Sequence, residues 1–162
     1  MQAVATALRE RVASAEPWLR AIPEADAAFK PAPEKWSRKE ILGHLIDSAV
    51  NNHQRFVRAQ LAEQLEFPEY DGDGWVAVQG YRERPWRALV ELWAAVNLHV
   101  AHVIAGIPAQ RLGTPCHIGE ALPVTLEFVA RDYVKHLRHH LQQVLDPEQA
   151  AGKTHPPFPQ GS

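Results

Sequence analysis

The sequence predicts an all-α protein, an up-and-down four-helix bundle. Three observations carry that reading. Four segments of about twenty residues place apolar side chains at helical spacing, no stretch alternates as a half-buried strand does, and no internal repeat is present. A chain of 162 residues suits one compact domain, assigned here to 1–150. Residues 151–162, with Gly152, Pro156, Pro157 and Pro159, read as a flexible tail.

The first helix is expected over about 3–22, with Val4, Leu8, Val12, Ala15, Trp18, Leu19 and Ile22 on one stripe and Pro23 ending it. A loop containing Pro31 and Pro33 follows. Ser37, with Glu40 three residues on, has the spacing of a capping box and opens the second helix, about 37–64. Its apolar positions are Ile41, Leu45, Val50, Phe56, Val57 and Leu61. Gly43, beside His44, leaves room for a close approach. Residues 65–85 read as a long ordered loop with a short helical turn over 76–81. This first long link is expected to add a crossing connection. The third helix runs over about 85–107, with Pro85 tolerated in its first turn and Leu89, Leu92, Trp93, Val96, Val100, Val103, Ile104 and Ile107 as its stripe. A second connection, 108–122, carries Cys116, His117 and Gly119, and the fourth helix spans about 123–145.

Seventeen basic and nineteen acidic residues leave a formal charge of −2, which offers no electrostatic footprint for nucleic acid or an anionic membrane. One cysteine allows no internal disulfide. The start of the chain lacks the apolar core of a signal peptide, and no apolar run approaches the roughly 20 residues that cross a bilayer. A cytoplasmic location is the expectation.

The chain has nine histidines, and three of them, His136, His139 and His140, fall within five positions. His136 and His140 are four apart and share one helix face with Val129, Tyr133 and Val144, an apolar and therefore inward face. Two imidazoles at that spacing suit one metal ion. His139 points away and reads as rim or surface. A third ligand must come from elsewhere, and His44 is the best candidate. It sits early in a core-bearing helix, with polar Ser48, Asn51 and Arg55 continuing its face.

The segment from Lys35 through Trp36-Ser37-Arg38-Lys39-Glu40 to His44 and Ser48, taken with His136-x3-His140, resembles the DinB/YfiT-like superfamily. The resemblance covers about 3–145. It implies a four-helix bundle, often a homodimer, that holds a divalent metal on His44, His136 and His140. It also implies a metal-dependent enzyme acting on a small molecule, either a transferase of low-molecular-weight thiols or a hydrolase. A non-catalytic metal- or ligand-binding module for stress response or interaction is the alternative. Three neutral imidazoles leave an open position on the ion, and zinc or nickel is the expected occupant.

Other residues are assigned more loosely. Asp47 either orients a ligand imidazole or is a solvated acid on the helix exterior. Asn51 and Arg55 either contact an anionic group of the substrate or form a buried pair joining helices. Ser48 is a candidate for lining the substrate pocket, and Tyr70, Trp75 and Tyr81 either wall its mouth or pin the long loop to the bundle. Asn97 reads as a satisfied core amide. Cys116 is a loop thiol without an activating neighbour. His53, His102, His117 and His155 have no partner spacing and are expected at the surface. Asp71 and Asp73 are too few for a calcium loop.

Overall fold

The computed structural model describes residues 1–145. The expected tail, its boundary near 150 and His155 lie outside the described residues. The four expected helices are all present. The first is α1 (Gln2–Ala21), followed after Pro23 by a five-residue helix, α2 (Glu24–Ala28), where only a loop was expected. The second long helix is α3 (Arg38–Leu61). The chain then forms a strand, β1 (Leu65–Phe67), a helix, α4 (Gly72–Gln79), and a 3-10 turn over Tyr81–Glu83. The third long helix is α5 (Trp86–Ala105). Strands β2 (Pro115–Ile118) and β3 (Val124–Thr125) precede the fourth, α6 (Leu126–Leu145).

Local chemistry explains where the helices start. The Ser37 side chain accepts from the Glu40 amide, and Glu40 Oε2 accepts from the Ser37 amide at 2.7 Å, which completes the capping box. Asp71 is the cap of α4, its side chain accepting from the Gly74 amide at 3.1 Å, so it serves a helix start. Gly80, at φ 58°, ends α4 in the left-handed conformation that glycine tolerates best.

The long helices make one bundle. α1 packs against α5 and α6, and α3 packs against the same two, so the order around the bundle is α1, α5, α3, α6. Consecutive helices α1 and α3 are therefore diagonal, as are α5 and α6. The links that cross the bundle are the ones before α3 and before α6. The link between α3 and α5, expected to cross, joins neighbours.

The core is continuous, from Leu8, Val12 and Leu19 of α1 through Leu42, Leu45 and Phe56 of α3 to Trp93, Ile104, Leu137 and Leu141. Asn97 is a satisfied core amide: its Nδ2 donates to the Trp93 carbonyl and its Oδ1 accepts from the Tyr133 hydroxyl. Four apolar side chains expected inside are instead exposed: Val50, Val57, Leu61 and Leu92. They fall on the margins of broad helical stripes, where a rotation of a few tens of degrees decides burial. Arg38 is fully buried, and its Nε donates to the Val144 carbonyl at 2.7 Å, tying the start of α3 to the end of α6. By length and composition α5, alone among the described residues, is apolar enough to cross a membrane, contrary to expectation; its stripe packs within the bundle against α1 and α3.

The small sheet is the other departure from expectation. β1 and β2 are parallel, pairing Leu65 with Cys116 and Phe67 with Ile118, and β2 and β3 are antiparallel, pairing Cys116 with Val124. Strands of two to four residues show too little alternation to be read from sequence. Their effect is positional, because they tie the two loops flanking α4 and α6 to each other beside α3.

Candidate metal centre

His44, in the second turn of α3, meets His136 and His140 of α6. The ring centroids are 5.3 Å apart for His44–His136, 4.9 Å for His44–His140 and 4.5 Å for His136–His140. One nitrogen from each ring lies within 4.8 Å of the other two, and all three rings are half-buried. The i, i+4 spacing on α6 sets one pair and the packing of α3 on α6 supplies the third member. No other group of three or more ligand-type side chains gathers this way among the described residues.

The donor set fits a divalent ion. Burial, and then the neighbouring imidazoles, push His44 and His136 down to about 4, and burial also lowers His140. The rings are therefore neutral at physiological pH, the form that binds metal. The Nδ1 atoms of His44 and His136 are buried with no hydrogen-bond partner among the described residues. With three protein ligands, such an ion retains an open position.

The surroundings fix the rings. His140 Nδ1 lies 2.7 Å from Gln143 Oε1, and Gln143 Nε2 lies 3.3 Å from His139 Nε2. When the His140 Nδ1 carries the proton, it donates to Gln143 and the other ring nitrogen is free for an ion. Trp36 packs 5.2 Å from the His44 ring, and a Cβ at Gly72 would sit 3.6 Å from that ring, so the start of α4 walls its other edge. Gln143 and Gly72 were not singled out from the sequence, and Trp36 entered only as part of the motif that carries the resemblance. Gln143 carried a spacing signal, one helical turn after His140 on the same face. His139 is exposed, as expected.

The other candidates separate into two groups. Ser48, Arg55 and Tyr70 line a cavity of about 210 Å³ whose wall includes His136, together with Asn52, Asp132 and Tyr133. Asn51 and Trp75 instead line a neighbouring groove of about 680 Å³, and Tyr70 borders both. Trp75 packs on Tyr70 with centroids 5.0 Å apart, and Asn51 Nδ2 donates to the Asp47 carbonyl on its own helix. The alternative of an Asn51–Arg55 pair joining helices is not what forms; Arg55 bonds to Asn52.

Asp47 fits neither reading made for it. It is buried, 2% exposed, and its Oδ1 accepts from Gln79 Nε2 at 2.5 Å and from the Tyr81 hydroxyl at 2.6 Å. It anchors α4 and the turn after it, not a histidine. The close approach that Gly43 permits is made by the Tyr81 ring. Cys116 is a buried strand residue, and burial raises its thiol further above neutrality. His53 and His99 are not isolated: their rings lie 5.1 Å apart across α3 and α5, with His102 6.3 Å beyond His99. His117 lies 3.9 Å from Glu66 across the β1–β2 pair.

The lowered histidines carry a consequence for the ion-free protein. Their folded pKa lies below the ordinary 6.5, so the unfolded chain takes up more protons as the pH falls from 6.5 towards about 4. Stability conferred by the neutral cluster is full above 6.5 and is lost across that window. Urea midpoints of chelator-treated protein should fall over it more steeply than those of a His44→Gln/His136→Gln variant. Parallel curves would contradict the prediction.

Fold and site together define a class: helical bundles with an open three-histidine centre between the second and last long helices. The chain belongs to the DinB superfamily, whose model matches residues 7–144. Among solved structures it is similar to YfiT from Bacillus subtilis, described as a probable metal-dependent hydrolase with an unusual four-helix bundle topology. That likeness has a TM-score of 0.76 at 18% identity and covers 87% of this chain and 81% of YfiT. No curated protein matches the sequence.

Proposed function

We propose that this protein is a metal-dependent hydrolase of a small molecule, with one divalent ion, zinc or nickel, on His44, His136 and His140. The observation that carries the reading is the convergence of three neutral, half-buried imidazoles beside a cavity walled by one of them. A divalent ion in such a site polarises a bound carbonyl or phosphoryl group and lowers the pKa of water to near neutrality. Gln143 holds the His140 ring in the orientation a ligand needs. Ser48, Asn52, Tyr70 and Arg55 supply the polar surface that orients the substrate, and Asp132 is the carboxylate on the cavity wall. The description of YfiT supports hydrolysis as the reaction. A low-molecular-weight thiol in the place of water would turn the same site to thiol transfer. A non-catalytic module would bind the ion with no turnover.

The experiment begins with protein purified without a histidine tag, analysed for metal, stripped, and reloaded with zinc or nickel. Small esters, amides and phosphoesters are then offered, alongside thiols paired with electrophiles. Hydrolysis that appears on reloading and disappears on chelation is the expected result. Protein that takes up neither metal at micromolar concentrations would end the proposal.

A further inference from the structure

The cavity beside His136 has in its wall a cation that no carboxylate pairs with among the described residues. This is Arg55, which is half-buried. Its hydrogen bond is to the neutral Asn52 side chain, at 3.4 Å, and its Nε is buried with no partner. The Phe67 ring lies under the guanidinium, with Cζ 5.1 Å from the ring centroid. Other arginines here are treated differently. Arg20 and Arg131 are paired with glutamates, and the buried Arg38 donates to backbone carbonyls. Withdrawing a guanidinium from water without pairing it costs free energy, and burial does depress the Arg55 pKa, with Tyr70, Cys116 and Glu69 acting on it only through space. A charge held at that cost, over an aromatic ring and in the wall of a cavity, is preorganised for a planar anion.

We infer that Arg55 is the specificity-determining residue of the cavity and that the substrate is a small carboxylate, anchored by its anion on Arg55 with its reacting end towards His136. This rests on the proposed metal-centre reading and adds the substrate class to it. Three observations narrow the anion. The wall offers one cation, Arg55, and neutral donors from Ser48 and Tyr70, with Asp132 as a carboxylate elsewhere on it, so Arg55 can pair with one ligand anion and a second negative charge would find no cation there. The cavity is smaller than the roughly 300–1,000 Å³ of sites for drug-sized ligands, so the molecule, or the part of it held here, is small. The flat guanidinium fork matches a carboxylate in two parallel hydrogen bonds.

The test has two arms that fail separately. In the first, cobalt(II)-loaded protein is titrated with thioglycolate, 3-mercaptopropionate and 4-mercaptobutyrate and with the carboxamide of each, following the sulfur-to-cobalt absorption. At least one acid should bind about tenfold or more tightly than its amide. Arg55→Gln should bring that acid to within about threefold of its amide without changing the amide's affinity, and Arg55→Lys should restore part of the difference. Equal binding of every acid and its amide, or an acid preference that survives Arg55→Gln, overturns the inference. In the second arm, ion-free protein is titrated with the same acids, amides and inorganic phosphate while the Arg55 Nε–H signal is followed by NMR, assigned by its loss in Arg55→Gln. The acids should shift that signal and the amides should not. No shift with any acid, or a shift by phosphate at lower concentration than by the acids, overturns the carboxylate assignment. Failure to take up cobalt overturns the metal reading and leaves the second arm to decide on Arg55.

Discussion

Alanine at His140 should leave the protein folded and without its ion. The ring is half-buried and lies at the end of the cluster open to Gln143, so its removal opens space towards solvent and creates no sealed void. The two remaining imidazoles, His44 and His136, cannot satisfy a four-coordinate ion by themselves. Metal affinity should fall by more than the roughly 10–100-fold that losing an outer hydrogen-bond partner costs. Gln143→Ala should fall within that smaller range, because it frees the His140 ring without deleting it. Competition with a chromophoric chelator measures both variants on one scale. If His140→Ala keeps an equimolar ion after dialysis, the three-histidine centre is wrong. If Gln143→Ala loses as much affinity as His140→Ala, then Gln143 does more than orient a ring.

Alanine at Gly43 should be among the most damaging single-methyl additions available in this chain. The Tyr81 ring occupies the place of the missing side chain: an added Cβ would lie 2.1 Å from Cδ2 and 2.4 Å from Cγ. Neither side yields easily. Gly43 is inside α3, and Tyr81, 5% exposed, is held by its hydroxyl on Asp47 and by the turn that Gly80 makes at φ 58°. Displacing the ring adds the cost of overpacking, about 1–3 kcal/mol, to that of leaving a buried carboxylate oxygen short of a donor, about 1–3 kcal/mol. A loss of about 2–6 kcal/mol is expected from urea unfolding. The cause is checked in a Tyr81→Ala background, where Gly43→Ala should cost under about 1 kcal/mol. An equal cost in both backgrounds would place the strain elsewhere.

The long helices and the histidine pair of α6 were legible because both are written in short-range spacing, whereas His44 was joined to that pair by the polar face that follows it and by the resemblance to a family. Ser37 and Glu40 mark a helix start, and His136 and His140 share a face whatever the rest of the chain does. What escaped detection depends on contacts between distant segments. Leu65-Glu66-Phe67 becomes a strand only because Cys116 to Ile118 lies alongside it. Asp47 looks like a surface acid or a histidine partner until Gln79 and Tyr81 fold back onto it. Asn52 faces the cavity and Asn51 does not, a difference of one position that spacing does not resolve at the edge of a wide stripe. The His53–His99 approach likewise depends on how α3 meets α5.

The diagonal arrangement of α1 with α3 and of α5 with α6 has a bearing on how the ion is acquired. Two of the three histidines that would hold it belong to the last long helix, and the remaining one faces them only after α3 and α6, more than half the length of the chain apart, have come together. A nascent chain on the ribosome offers a single histidine of the set until α6 has left the exit tunnel. If the site holds an ion, the choice among competing metals would then fall to the finished bundle, whose rigidity and ring spacing, more than the order of synthesis, would decide which ion is kept.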